Sequence, residues 1–176
     1  MKQLFIILIL VIAILPACKK DTAVRTSGTD TIDNTIHMDV TYFAYGFSFS
    51  QAKLIATTSA PGPDVVLFLN DDNTPSRLVL QANNRLPSFF KVGEYASDEE
   101  AKEVFNNLKT VPEAQQWFSI AEPIVPNQVW IYRANDEKYT KFRIIETVNE
   151  MMEDIVAYGE CTFKWVHQPD GSVNFP

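Results

Sequence analysis

Gly159-Glu160-Cys161-Thr162-Phe163-Lys164-Trp165-Val166-His167-Gln168, followed by Pro169-Asp170-Gly171-Ser172, is the stretch that decides the fold class. Successive side chains of a strand point to opposite faces. Cys161, Phe163, Trp165 and His167 therefore share one face, and Glu160, Thr162, Lys164 and Gln168 share the other. An apolar face backed by a polar one is the pattern of a strand lying on a core. Gln168 to Ser172 carries the residue preferences of a type I turn, and Val173 to Phe175 predicts a short returning edge strand.

Upstream, Lys138 to Val148 repeats the alternation, with Phe142 and Ile144 set against Lys141 and Arg143. Ala134-Asn135-Asp136-Glu137 reads as a turn and Gln128 to Arg133 as a strand, so the C-terminal third predicts an antiparallel meander. In the N-terminal half, Met38 to Phe49 is dense in Val, Tyr and Phe, which predicts paired strands with a tight bend at Gly46, continued by Lys53 to Thr57. Ala60-Pro61-Gly62-Pro63 is a turn, since two prolines and a glycine do not propagate a ladder. Asp64 to Leu69 is a continuous apolar run of the kind buried on both faces; Asn70 to Pro75 is a polar turn and Arg77 to Gln81 the return strand.

One helix is expected. Ser97 and Glu100 form a capping box, Asp98 and Glu99 favour the positive end of the dipole, and Ala101, Val104, Phe105 and Leu108 recur on one stripe before Pro112. A shorter helical turn is read at Glu113 to Trp117. The fold class is thus mostly β: an antiparallel sheet domain, sandwich or meander, with one short-to-medium helix.

The first residues carry a different message. Lys2 precedes twelve unbroken apolar residues, Leu4 to Leu15. That is shorter than the ~20 needed to span a bilayer but fits the apolar core of a secretory signal. Leu15-Pro16-Ala17-Cys18 resembles a bacterial lipobox, whose cysteine is acylated and becomes the mature N-terminus, and Lys19-Lys20-Asp21 resembles the charge pattern that follows it in Bacteroidota lipoproteins. The expected organisation is a signal peptide over 1–17, a lipidated N-terminus and flexible tether over 18–36, and a single β-rich domain over 37–176. The polar tether, rich in Thr, Asp and Ser, would reach roughly 20–25 Å as a coil. Acyl chains at ~0.8 kcal/mol per buried CH₂ make the attachment durable. With Cys18 lipidated, Cys161 has no partner in the chain, and its strand face predicts burial.

The chain has a formal charge of −7, and loss of Lys2 with the leader leaves 14 basic against 22 acidic residues. A domain so acidic, without a basic stripe, is not built for nucleic acid. No GxSxG, GxxxxGK, GxGxxG, HExxH or CxxC occurs, so no catalytic residue is assigned and no enzyme is expected. Asp71-Asp72-Asn73 opens like a calcium loop but lacks its Gly and distant Glu, so a hairpin turn is the reading taken. Only two histidines exist. His37 sits at the tether junction, where a solvated ring is expected. His167 is either a ligand at a pocket mouth or a half-buried ring satisfied by a turn. Met38 and the pair Met151-Met152 offer thioethers, which can coordinate haem iron, or else fill a loop or the core. Candidate ligand-binding residues are therefore His167, Met151 and Met152, with Cys18 as the lipid attachment and no metal site assigned.

Three stretches resemble the HmuY family, haem-binding lipoproteins of Bacteroidota. Tyr45-Gly46-Phe47-Ser48-Phe49-Ser50, with Lys53-Leu54-Ile55 and Asp64-Val65-Val66-Leu67, is similar to the family's aromatic opening and the strand after it. Val129-Trp130-Ile131-Tyr132-Arg133, with Asp136 and Lys141, resembles its strand-turn-strand, and Gly159 to Trp165 with Gln168 to Ser172 its closing strand and turn. The resemblance implies a mostly β fold with little helix and haem held by two axial side chains from loops between the middle strands. One of these would fall in Trp117 to Gln128, which contains neither His nor Met, so no ligand residue is carried over. The functional expectation is an outer-membrane envelope lipoprotein, periplasmic or surface-exposed. It would act as a non-enzymatic binding module for haem or another flat apolar ligand. The alternative is an interaction lipoprotein with an outer-membrane protein partner and no cofactor.

Overall fold

The computed structural model describes residues 23–70, 76–83, 86–113, 116–152 and 156–176, the side chains of 152 and 156 excepted. The elements are β1 (Ser27–Asp33), β2 (Ile36–Met38), β3 (Tyr42–Ser48), β4 (Lys53–Ala56), β5 (Val65–Asn70) and β6 (Arg77–Ala82). They continue with β7 (Phe89–Glu94), α1 (Asp98–Asn107), β8 (Ile120–Ala121), β9 (Gln128–Arg133), β10 (Tyr139–Met152) and β11 (Val156–Gln168). They form two antiparallel sheets, ordered β1-β11-β10-β9-β7 and β2-β3-β5-β6-β8, with β4 paired to β3. Of the described residues 54% are strand and 7% helix, so the fold is mostly β and consistent with a sandwich. No described helix is long and apolar enough to cross a membrane.

The core lies between the sheets and is largely aromatic. Phe47 and Phe49 of the second sheet meet Phe163, Trp165, Phe142 and Tyr132 of the first, with ring centroids 5.4–6.1 Å apart. The alternation read in the closing strand is realised: Cys161, Phe163, Trp165 and His167 are all buried. Cys161 is a free thiol, and burial pushes its pKa up, which leaves it unreactive. The turn after β11 closes on Gly171, whose φ of +77° suits glycine.

Several expectations are corrected. The tether does not extend to residue 36, because β1 pairs along its whole length with β11, from Ser27↔Val166 to Asp33↔Glu160. An edge strand needs little apolar content: Ile32 alone enters the core, while Asp30 accepts a 2.7 Å bond from Trp165 Nε1. The bend placed at Gly46 lies instead at residues 39–41, between β2 and β3. Gly46 sits within β3 because a Cβ there would collide with the Val65 carbonyl oxygen and the Pro63 ring. Val173 to Phe175 is no strand but a strap bridged at Thr110↔Asn174. Trp117 belongs to no helical turn, since the chain there runs into a bridge between Phe118 and Phe89. In β5, Val65, Val66 and Leu67 are buried as expected, but Phe68 is not.

The helix is capped as read, with the Ser97 side chain accepting from Glu100 N at 3.2 Å. It lies over Lys141 and Arg143, which the alternation had placed opposite the core. Both are buried. Lys141 Nζ donates to the Phe105 and Leu108 carbonyls at 2.9 and 2.7 Å, supplying the cation that the last turn of α1 lacks. Arg143 pairs with Asp98 in the first turn. Two residues of one strand thus grip both ends of the helix.

Candidate functional site

His167 ends the apolar face of β11, so its ring is delivered to the end of the sandwich, where it is 5% exposed. Its Nδ1 lies 2.9 Å from Thr140 Oγ1, the partner residue across the β10–β11 register. A side chain, not a turn backbone, satisfies it. Burial lowers the pKa of His167; Asp136 opposes this and Lys138 reinforces it. The imidazole is accordingly neutral at neutral pH.

Around it lies a cleft of ≈ 400 Å³, lined among others by Asp64, Tyr132, Asp136 and Lys138. Asp64 accepts from Phe49 N at 2.7 Å, and its pKa is raised by burial more than its hydrogen bonds lower it. Tyr132 donates its hydroxyl to the Asp64 carbonyl oxygen at 3.3 Å, and burial raises its pKa. Asp136 is paired with Lys138 Nζ at 2.5 Å. Sequence reasoning missed these four because each carries an ordinary local signal, a strand start or a turn. Only the sandwich brings residues 64, 132, 136 and 167 to one end. Thr140 is itself buried, and its pairing with His167 fixes the ring.

A second cleft, ≈ 320 Å³, opens where the β2–β3 hairpin parts from β5 and β6. Strands β3 and β5 pair only at Phe47↔Val65, and beyond that point they diverge. Ile36, Tyr42, Phe43, Val66 and Phe68 line the gap, with Thr57, Gln81 and Asn83 as its polar groups and no charged residue among the described ones. Tyr42 is 73% and Phe68 41% exposed. His37 is exposed as expected but stacked on Phe43 at 5.5 Å and edge-on to Tyr45 at 5.1 Å, on the face of the β2–β3 ribbon opposite Tyr42.

The candidate ligands do not converge. His167 lines the first cleft, whereas Met151 lines neither and lies 57% exposed near the far end of β10. In register Thr140 faces His167 and Met151 faces Ala157, which separates the two by roughly 35 Å at ~3.3 Å per residue. They cannot flank one ligand. Met152 is in the same strand; Cys18 and Asp71-Asp72-Asn73 lie outside the described residues, though β5 and β6 flank the latter as an antiparallel pair, Asn70↔Arg77. Among the described residues no group of three or more His, Cys, Asp or Glu could hold a metal ion. No protein-family model matches the chain, and no curated protein matches it either.

Proposed function

We propose that the protein is an exported envelope lipoprotein, anchored at Cys18, whose sandwich is a non-enzymatic binding module. Its ligand is haem or another flat apolar molecule, taken into the cleft between the β2–β3 hairpin and β5–β6. One observation carries this reading: aromatic side chains that alternate with the core stand open around a gap whose described lining bears no charge. Each 100 Å² of such surface covered by a ligand gains roughly 2.5 kcal/mol at ~25 cal/mol per Å². The walls Tyr42 and Phe68 suit the face of a porphyrin. His167 and Met151, the expected ligands, do not line this cleft. The envelope location rests on the leader and its lipobox cysteine.

Titration of the apo-protein with haemin, followed at the Soret band, tests this, with metal-free protoporphyrin IX followed by fluorescence in parallel. Both are expected to bind at micromolar protein, and Phe68→Ala to weaken both. Absence of binding by either porphyrin overturns the reading.

A second reading, docking of an outer-membrane protein on an edge strand, draws on β2, where Met38 is strongly exposed and the turn residue Val40 is 93% exposed. Cross-linking from envelope extracts that returns one stoichiometric partner, with no porphyrin binding, would favour it.

A further inference from the structure

The side of α1 that meets β11 carries one sign of charge. Asp98, Lys102, Phe105 and, just past the helix, Lys109 follow at helical spacing and share that side. Lys164 Nζ lies 5.9 Å from the Phe105 ring, which sets this side against β11. Burial first, then repulsion from Lys109 and Lys164, lowers the pKa of Lys141, so the three ammonium groups are gathered in one place. Arg143 lies opposite Lys164 in the β10–β11 register. Carboxylates are kept off this flank. Asp98 is taken by Arg143, and Glu100 turns back to the Ala96 N–H. Glu99 stands in the first turn, roughly 15 Å along the axis from Lys109. Glu103 lines a hollow with Val104 and Leu108 on the other side of the helix, and Asp170 is held by the Ser172 N–H in the turn beyond β11. On the outer face Lys164 has Thr29 across from it and Thr162 and Val166 beside it. Among the described residues no carboxylate pairs with Lys102, Lys109 or Lys164. Lys102 and Lys109 are exposed and Lys164 is half-buried.

The chain enters the sheet beside this flank. Thr26 O accepts from His167 N at 2.7 Å, and Cys18 stands eight residues before Thr26. Eight residues span at most roughly 28 Å, so an acyl chain on Cys18 holds this end of the sheet close to the lipid. Lys164 faces Thr29, which is roughly 10 Å along β1 from Thr26. We propose that Lys102, Lys109 and Lys164 dock the domain on anionic phosphate headgroups of the bilayer that holds its anchor, an inference that rests on acylation of Cys18. Each lysine at such a surface strengthens the contact by roughly fivefold. Screening acts over about 8 Å at physiological salt, so acidic residues farther off than that weigh less than three cations in contact. Docked in this way, the helix side of the sandwich faces the lipid. The outer face of the second sheet, with Phe68, then faces away from it and stays open to ligand.

The full acylated protein, reconstituted in phosphatidylcholine vesicles with and without phosphatidylglycerol, tests this by energy transfer to an acceptor on a lipid headgroup. The donor dye sits on Asn106→Cys, exposed beside Lys102 and Lys109, or on Thr58→Cys, exposed just after β4 of the second sheet. Cys161 is buried and takes no dye. Transfer from position 106 should rise about twofold with phosphatidylglycerol and fall back at ~1 M salt, where screening shortens to about 3 Å. Transfer from position 58 should stay low. Lys102→Gln with Lys109→Gln, both at exposed positions, should cut the rise about in half, and adding Lys164→Gln should remove it. Failure of the protein to stay with either vesicle overturns the anchor, and the docking with it. Stable retention with equal transfer from position 106 on both vesicles, or a rise that survives all three substitutions, overturns the docking alone.

Discussion

On the outer face of the first sheet, Lys141 and Arg143 are buried beneath α1; on the outer face of the second, Tyr42 and Phe68 stand open to water. Hydrophobicity alone would have arranged this the other way round. The charged face is coverable because the helix brings what the charges need. Carbonyls at its C-terminal end meet Lys141, Asp98 at its N-terminal end meets Arg143, and Ala101 and Phe105 pack on Val129. Lys141 Nζ also lies 5.0 Å from the Phe105 ring and 5.3 Å from that of Phe175. The apolar face has no such cover among the described residues. In the proposed function this exposed aromatic surface around a concave gap is the binding surface.

Truncating matched aromatics on the two faces breaks the comparison most directly. Phe105→Ala removes the helix's main anchor and should cost ~3–5 kcal/mol, read as a lowered urea midpoint. Phe68→Ala, half solvated already, should cost about 1 kcal/mol or less while weakening porphyrin binding. Equal losses at both positions would mean that the second face is structural.

Next in size is a pH effect beneath the helix. Burial pushes the Lys141 pKa down from 10.5 to about 8, with Lys109 and Lys164 adding repulsion. Between pH 8 and 10.5 the unfolded chain therefore binds more protons at this residue than the folded one, so the contribution of Lys141 to stability rises with pH by up to ~1.4 kcal/mol per unit. Denaturation of wild type and Lys141→Met at stepped pH should show the wild type gaining on the variant across that window. Parallel curves would show that the two carbonyls hold the ammonium charged.

The smallest effect belongs to the end cleft. The folded pKa of His167 lies below 6.5, so its contribution to stability is full above 6.5 and declines as acid drives protonation of the unfolded chain. Asp64, raised above 3.8, works in the opposite sense over its own lower window. His167→Phe should flatten the decline just below pH 6.5 in a denaturation series, and an unchanged slope would show that the ring is not desolvated in solution.

Legibility followed the range of the interactions. The closing strand, β9, the β5–β6 pair and the cap at Ser97 were readable because alternation, turn preference and capping are decided within a few residues. β1 was missed because its partner is 131 residues away across the Thr31–Thr162 pair, and one buried Ile32 leaves hardly any apolar periodicity. Gly46 was misread because a bend and a close approach of another strand ask for the same residue. His167 was singled out by its place on the strand, whereas Asp64, Tyr132, Asp136 and Lys138, which line the same cleft, were not, since each looks ordinary beside its neighbours.

By itself, then, the amino-acid order determined a mostly β domain, its one helix and the inward face of its last strand, because strand and helix periods are properties of the chain locally. Only the tertiary structure decided that Lys141 and Arg143 lie under a helix, that β3 and β5 diverge into an aromatic cleft, and that four distant polar residues surround His167. Those outcomes depend on which strands pair and where they part, and the side chains that result from pairing across a hundred residues leave no mark in any short window of sequence.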